Sequence, residues 1–190
     1  MFLKRPKGSS STVTGLAHLG FAFLLLLATG CDGGNSSGGG GETPTTPQPF
    51  VNVVSDSGDA PSVSMARAGA TVGANLQLEI LATDLENVQT IDYVLVYPGN
   101  LLRATAVVAG DFLGTVSVIT TALDASRLQV LMTRTDGGAS TGNGLVATVQ
   151  FEGIAAGEGR LEFADPEAVA TNGAVIQGIN WIGADVEVSP

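Results

Sequence analysis

The stretch Leu145-Val146-Ala147-Thr148-Val149-Gln150-Phe151-Glu152 indicates the fold of this chain. Its apolar side chains recur at every second position, and polar side chains fill positions 148, 150 and 152. Side chains on a β-strand point alternately to its two faces, so this spacing is typical of a strand with one buried and one wet face. We therefore predict a β-strand here.

The same period of two recurs through the region from residue 50 to residue 190, which is long enough for one domain. Gly- and Asn-rich turn signals separate the apolar runs, and no stretch keeps a helical period for more than a turn or two. About nine short strands with such turns predict an all-β fold, an antiparallel β-sandwich. The strands are predicted at residues 62–66, 76–83, 89–97, 103–109, 115–121, 127–134, 145–152, 161–163 and 186–188.

The only cysteine, Cys31, follows Ala28-Thr29-Gly30 and an apolar run at residues 16–28, with Lys4, Arg5 and Lys7 upstream. That run is short for a membrane span and typical of a secretory signal. The arrangement resembles the lipobox of bacterial lipoproteins, with Ala28 where leucine is commoner. It implies that residues 1–30 are a lipoprotein signal peptide and that Cys31 is lipidated. The alternatives are an uncleaved anchor, or a plain secretory signal with a chance cysteine.

Residues 31–49 are rich in Gly and Ser and then in Pro and Thr, a composition that favours a tether rather than a packed element. We expect the lipidated Cys31 and this tether to hold the domain of residues 50–190 to a membrane of the bacterial cell envelope, facing outside the cytoplasm. Acyl chains, not the protein surface, would provide the membrane attachment.

Cleavage before Cys31 would remove both lysines and the only histidine. The remaining chain has five arginines against 18 acidic residues, a side-chain charge of −13. That balance repels phosphate, so no nucleic-acid partner is expected. Without histidine or lysine, Ser-His-Asp catalysis, Schiff bases and P-loops are excluded. We predict a protein that is not an enzyme and holds no cofactor or metal.

Five segments together resemble the motifs of cohesin domains, in that family's order, over about residues 61–188. The resemblance implies a nine-stranded jelly-roll sandwich that binds dockerin domains and so assembles glycoside hydrolases. The segments are residues 72–75 (VGAN) with the strand after them, 91–102 (IDYVLVYPGNLL), 110–113 (GDFL), 142–151 (GNGLVATVQF) and 178–188.

Two departures concern the partner more than the fold. Pro98 replaces the aspartate that follows the motif's tyrosine, and Thr90 replaces an asparagine that contacts the dockerin in type I cohesins. Asp92 matches the contacting aspartate. The resemblance therefore implies a dockerin-like partner, or another extracytoplasmic protein, with a link to polysaccharide degradation.

Asp92, Val94 and Val96 share one face of their predicted strand, because side chains alternate. The bulkier set on the other face, which includes Tyr93, is assigned to the core. An outward carboxylate beside two valines suits a protein interface. The alternative is a strand covered on both sides, with Asp92 at its start.

Trp181 is the only tryptophan. If exposed, it would stack on a sugar, and the domain would be a carbohydrate-binding module of the same fold that recognises polysaccharide. If buried, it would be a core residue. A structural envelope lipoprotein without a binding partner is a third interpretation.

Overall fold

The computed structural model describes residues 50–68 and 75–189, and every regular element among them is a β-strand. The signal peptide, Cys31 and the tether predicted for residues 1–49 lie outside the described residues. In the described part of the chain no helix has the length and apolarity needed to cross a membrane. The ten strands are β1 (Phe50–Ser55), β2 (Ser62–Arg67), β3 (Asn75–Val96), β4 (Leu102–Ala109), β5 (Val116–Asp124), β6 (Arg127–Arg134), β7 (Ser140–Gly153), β8 (Gly157–Ala170), β9 (Asn180–Ile182) and β10 (Ala184–Ser189).

The long strand β3 belongs to both layers of the sandwich. Its first half pairs with β2 up to Thr83 and with β7 up to Val88, and its second half pairs with β8 from Val88 and with β6 from Thr90. One layer therefore has the order β9-β2-β3-β7-β4, and the other has the order β1-β10-β8-β3-β6-β5. The pairs are antiparallel except for β2 with β9, which is parallel. The predicted all-β sandwich is confirmed.

The structure has ten strands where nine were predicted. Two strands, β1 and β9, were not predicted, and two predicted strands are joined into β3. The polar residues between them form bulges, in which Asp84 and Asn87 have φ values of 50° and 55°. Asn and Asp tolerate this left-handed conformation better than most residues. Neighbouring side chains satisfy the bulged amides: Asp84 N donates to Asn143 Oδ1 (2.6 Å) and Asn87 N to Thr141 Oγ1 (3.1 Å). The chain therefore passes from one layer to the other without a loop.

The core lies between the two layers and contains aromatic pairs, both across the layers and within one layer. Tyr97, just after the end of β3, packs edge-on against Phe151 of β7, with ring centroids 5.1 Å apart. Tyr93 contacts Phe163 of β8 in the same geometry, at 5.2 Å. Such edge-to-face pairs add to the free energy gained from burying the rings. The apolar side chains of the alternating pattern thus point into the core.

Two glycine-containing motifs of the sequence meet in space at one corner of the sandwich. The turn after β4 lies against β7, where Gly110 N donates to Val146 O and Phe112 N donates to Leu145 O, both at 2.9 Å. A Cβ on Gly144 would lie 3.1 Å from the Cβ of Phe112. Glycine is needed at position 110, where a Cβ would lie 2.5 Å from the carbonyl carbon of Leu145, because backbone approaches backbone there more closely than a side chain allows.

Tyr93 carries a hydroxyl that makes no hydrogen bond to any described residue, although the side chain has no exposed surface. Burial raises the pKa of Tyr93, so the phenol stays neutral. A buried donor without a partner costs about 1–3 kcal/mol. We therefore expect Tyr93→Phe to raise the free energy of unfolding by about 1 kcal/mol, measured by urea denaturation.

Tyr97→Phe is the control for this prediction, because it removes the same hydroxyl from a ring at the edge of the core, where a small part of the side chain remains exposed. We expect it to change the unfolding free energy by less than about 0.5 kcal/mol. A loss of stability in Tyr93→Phe would show that the hydroxyl has a partner, for example a buried water.

Candidate functional site

The second half of β3 presents the three predicted residues on its outward side. Asp92, Val94 and Val96 are half-buried, whereas Tyr93 and Leu95 between them have no exposed surface. The predicted orientation of this strand is therefore confirmed. The binding role of the three residues stays a prediction.

These residues lie at the middle of a four-stranded surface, because β3 pairs with β6 on one side and β8 on the other, and β5 extends beyond β6. Directly opposed residues of antiparallel strands share a face, so the registers define the surface. We call it the Asp92 face. Each row of this surface contains the residues that lie opposite one another on β5, β6, β3 and β8, in that order. The rows are Ser117-Thr133-Thr90-Val169, Ile119-Leu131-Asp92-Glu167 and Thr121-Gln129-Val94-Ala164. A fourth row, Arg127-Val96-Glu162, covers β6, β3 and β8 only.

The centre of the Asp92 face is apolar. Val94 and Leu131 are half-buried at diagonal positions of neighbouring strands, and Ile119 on β5 leaves 56% of its surface exposed. A solvent-facing cluster of this kind is typical of the middle of a protein interface, which is apolar and surrounded by polar groups.

The carboxylate of Asp92 is held beside that apolar centre. Gln129 Nε2 donates to Asp92 Oδ1 at 3.3 Å, and this contact fixes one carboxylate oxygen. Glu167 lies directly opposite Asp92 on β8. Two carboxylates at opposed positions repel each other. A cation placed between them by a partner would relieve that repulsion.

The remaining charges make the Asp92 face net negative. Asp92 and Glu167 are two acids of these rows, and Glu162, opposite Val96, accepts a hydrogen bond from Arg160 at 3.0 Å. Arg127 at the start of β6 is the one cation in the rows defined above. Arg127 is already engaged, because its Nε donates to Asp124 Oδ2 at 2.7 Å. Hydrogen bonds from Ser126 N and Arg127 hold the pKa of Asp124 below its ordinary value, so the pair stays charged. The partner chemistry that fits is an apolar stripe flanked by Lys or Arg.

The sequence did not identify the neighbours of Asp92. The alternation in residues 127–134 places Gln129, Leu131 and Thr133 on one side of their strand, but it does not say which strands lie next to β3. Among the described residues, no group of three potential ligands could hold a metal ion.

Trp181 lies far from this surface in the topology, on the edge strand β9 of the other layer. It is half-buried against Phe163, at a ring distance of 5.2 Å, and Tyr93, at 6.5 Å. The chain changes layers at Gly183, between β9 and β10, which is why Trp181 packs inward although its parity matches the exposed Asp185. The tryptophan is thus part of the aromatic cluster, with one side at the surface.

Two cavities adjoin the surface side of Trp181. One, of about 430 Å³, is lined by the loop of residues 56–59 and by Asn180, and the other, of about 290 Å³, is lined by Glu162 and Phe163. Arg160 and Trp181 line both of them. Arg160 is bound by three carboxylates: its Nη1 donates to Asp185 (2.9 Å), its Nε to Glu162 (3.0 Å), and its Nη2 to Asp56. These contacts leave the guanidinium little capacity for a charged ligand.

The structure is similar to solved cohesin domains. A type II cohesin domain from the cellulosome of Acetivibrio cellulolyticus matches with a TM-score of 0.58 and 18% identity, over 70% of this chain and 95% of that one. A non-cellulosomal cohesin from the archaeon Archaeoglobus fulgidus matches at 0.52 and 17%, over 71% and 88%. A cohesin from a type II cohesin–X-dockerin complex of A. cellulolyticus matches at 0.55 and 13%, over 63% and 93%.

No family model and no curated protein matches the chain. At these identities the structural matches establish the fold and not the partner. The described domain has the fold of cohesin domains, and the resemblance stated from the sequence motifs is confirmed at that level.

Proposed function

We propose that this chain is a protein-binding module that takes a dockerin-like partner, or another extracytoplasmic protein, on the Asp92 face. The observation that carries the proposal is the arrangement of Val94, Leu131 and Ile119 around the half-buried Asp92. A similar fold occurs in a cohesin that was crystallised in a complex with an X-dockerin partner, and this similarity supports the proposal.

The partner would place apolar side chains over Val94 and Leu131 and a Lys or Arg between Asp92 and Glu167. Burial of the apolar centre would supply most of the affinity, and the basic group would fix orientation and raise the association rate. Because the acids on the face outnumber its cation, association should slow as salt concentration rises.

The experiment is capture of a partner from the proteins secreted by the source organism. Among the described residues the buried side chains lie between Val51 and Val188, so a segment of residues 44–190 contains the core described above and serves as the immobilised bait. Wild type should retain a protein that Asp92→Arg does not. Retention by both variants, or by neither, contradicts the proposal.

The wider role rests on the sequence. We propose that Cys31 is lipidated, that the domain is thereby anchored in the bacterial cell envelope facing outside the cytoplasm, and that it binds without catalysis, in a process linked to polysaccharide degradation. Labelled palmitate should appear on the full chain and not on Cys31→Ser. A chain that stays unlabelled would contradict the anchor, and hydrolysis of a glycoside by the purified domain would contradict the absence of catalysis.

Carbohydrate binding is the second candidate, and the two cavities beside Trp181 favour it. Polar groups around one aromatic ring are the typical lining of a sugar site. Affinity gels with several polysaccharides separate the candidates, because sugar binding should be retained in Asp92→Arg and weakened in Trp181→Phe. If the wild-type domain migrates equally in gels with and without polysaccharide, this candidate is excluded, and protein binding or a structural envelope role remains.

A further inference from the structure

The two layers of the sandwich end in four edge strands, of which three are protected against pairing with another chain. Natural sheets protect their edges by short strands, charges, bulges or cover from another element. The strand β9 has three residues, β4 carries Arg103 and a bulge near Ala104, and β1 contacts β2 of the facing layer.

The fourth edge strand, β5, has no charge and no bulge along most of its length, and it contacts β4 of the facing layer less extensively than β1 contacts β2. No charged residue occurs from position 112 to position 123, and within the described residues β5 pairs with β6 alone. Ile119 is 56% exposed, Leu123 44% and Val118 36%, so apolar surface is open on both sides of the strand. An uncharged, β-branched edge of this kind is the type that adds another strand.

The sequence of β5 is suited to antiparallel pairing with itself. Around a two-fold axis at Thr120, Ile119 of one copy lies opposite Thr121 of the other, and Val118 lies opposite Ala122. The register irregularity of β5 falls between Ala122 and Asp124, outside these central pairs. Such a two-fold arrangement closes on itself and produces a dimer rather than a fibre.

The charge pattern permits a second copy at this edge. Residues 50–190 contain five arginines and 16 acidic residues, a side-chain charge of −11, so two copies repel each other over most approaches. Pairing through β5 brings no like charges into opposition.

We propose that this domain forms a two-fold dimer in which the β5 strands of two copies pair antiparallel about Thr120. The six-stranded layer becomes one twelve-stranded sheet, and the two Asp92 faces lie side by side on the same surface. The dimer goes beyond the proposed partner binding, because it makes the module bivalent. A single strand pair is a small interface, so the dissociation constant is expected between about 10 µM and 1 mM.

Sedimentation velocity of the 44–190 segment at increasing concentration tests the proposal. Wild type should pass from monomer to dimer, and Thr120→Lys and Thr120→Glu should each stay monomeric, because like charges meet at the axis. An equal mixture of the two variants should associate, because Lys then faces Glu. Val108→Lys, at an exposed position of the edge strand β4, adds the same charge elsewhere and should dimerise as wild type does.

Wild type that remains monomeric up to about 1 mM, or a dimer that survives Thr120→Lys, would overturn the proposal. A mixture of the Lys and Glu variants that fails to associate would overturn the two-fold register. Thr120 points to the side of β5 away from the Asp92 face, since it lies opposite the buried Val130. Capture of the proposed partner by Thr120→Lys should therefore be unchanged, and the two proposals can fail separately.

Discussion

Asp92→Arg is expected to weaken partner binding by at least about 100-fold, which corresponds to about 2.7 kcal/mol. The carboxylate lies beside the apolar centre of the Asp92 face, and the substitution places a cation where the partner's own cation would bind. Isothermal titration calorimetry of the captured partner measures the change. Asp92→Asn, which removes the charge and keeps the shape, should give a smaller loss.

The same substitution should leave the fold intact. The introduced guanidinium would lie opposite Glu167 and replace a repulsion by an attraction worth about 0.2–1 kcal/mol, so the unfolding free energy should stay equal or rise. The matched control is Asp111→Arg, which reverses an exposed charge on the turn after β4 and should bind as wild type does. Equal losses in both variants would mean that only net charge matters, and the Asp92 face would lose its assigned role.

Gly110→Ala is expected to lower the unfolding free energy by about 3–5 kcal/mol. The added Cβ would lie 2.5 Å from the carbonyl carbon of Leu145 and closer still to its oxygen. Hydrogen bonds from Gly110 and Phe112 to β7 hold this turn in place, so the backbone cannot move aside without breaking them. Urea denaturation measures the effect as a lower midpoint with an unchanged slope.

Gly173→Ala is the control for this prediction. Gly173 has a φ of 79° and open space around the position of a Cβ, so only backbone strain of about 1–2 kcal/mol is added. Similar losses in the two variants would show that the contact between the turn after β4 and β7 is not needed.

The local alternation of the sequence predicted much of the fold, because burial of one strand face is a local property. It oriented Tyr93 and Leu95 inward and Asp92 and Val94 outward, as the structure has them. It placed a loop where β3 continues through bulges, because Asp84 and Asn87 have the composition of a turn and their hydrogen-bond partners come from a distant strand.

The binding surface was predictable only in part. One strand supplies Asp92, Val94 and Val96, but Leu131 and Glu167 come from strands far along the chain and reach the surface through strand pairing. Pairing depends on tertiary topology, which no short pattern contains. Trp181 shows the same limit, since its burial follows from a change of layers at Gly183 and not from the parity of its own strand.

Hydrogen–deuterium exchange of the domain with and without its captured partner tests the central claim most directly. Binding on the Asp92 face predicts slower exchange in residues 90–96 and 127–133 and in the neighbouring part of β8, with β2, β4 and β9 unchanged. Slower exchange confined to β9 and the loop at residues 56–59, with residues 90–96 unaffected, would contradict it.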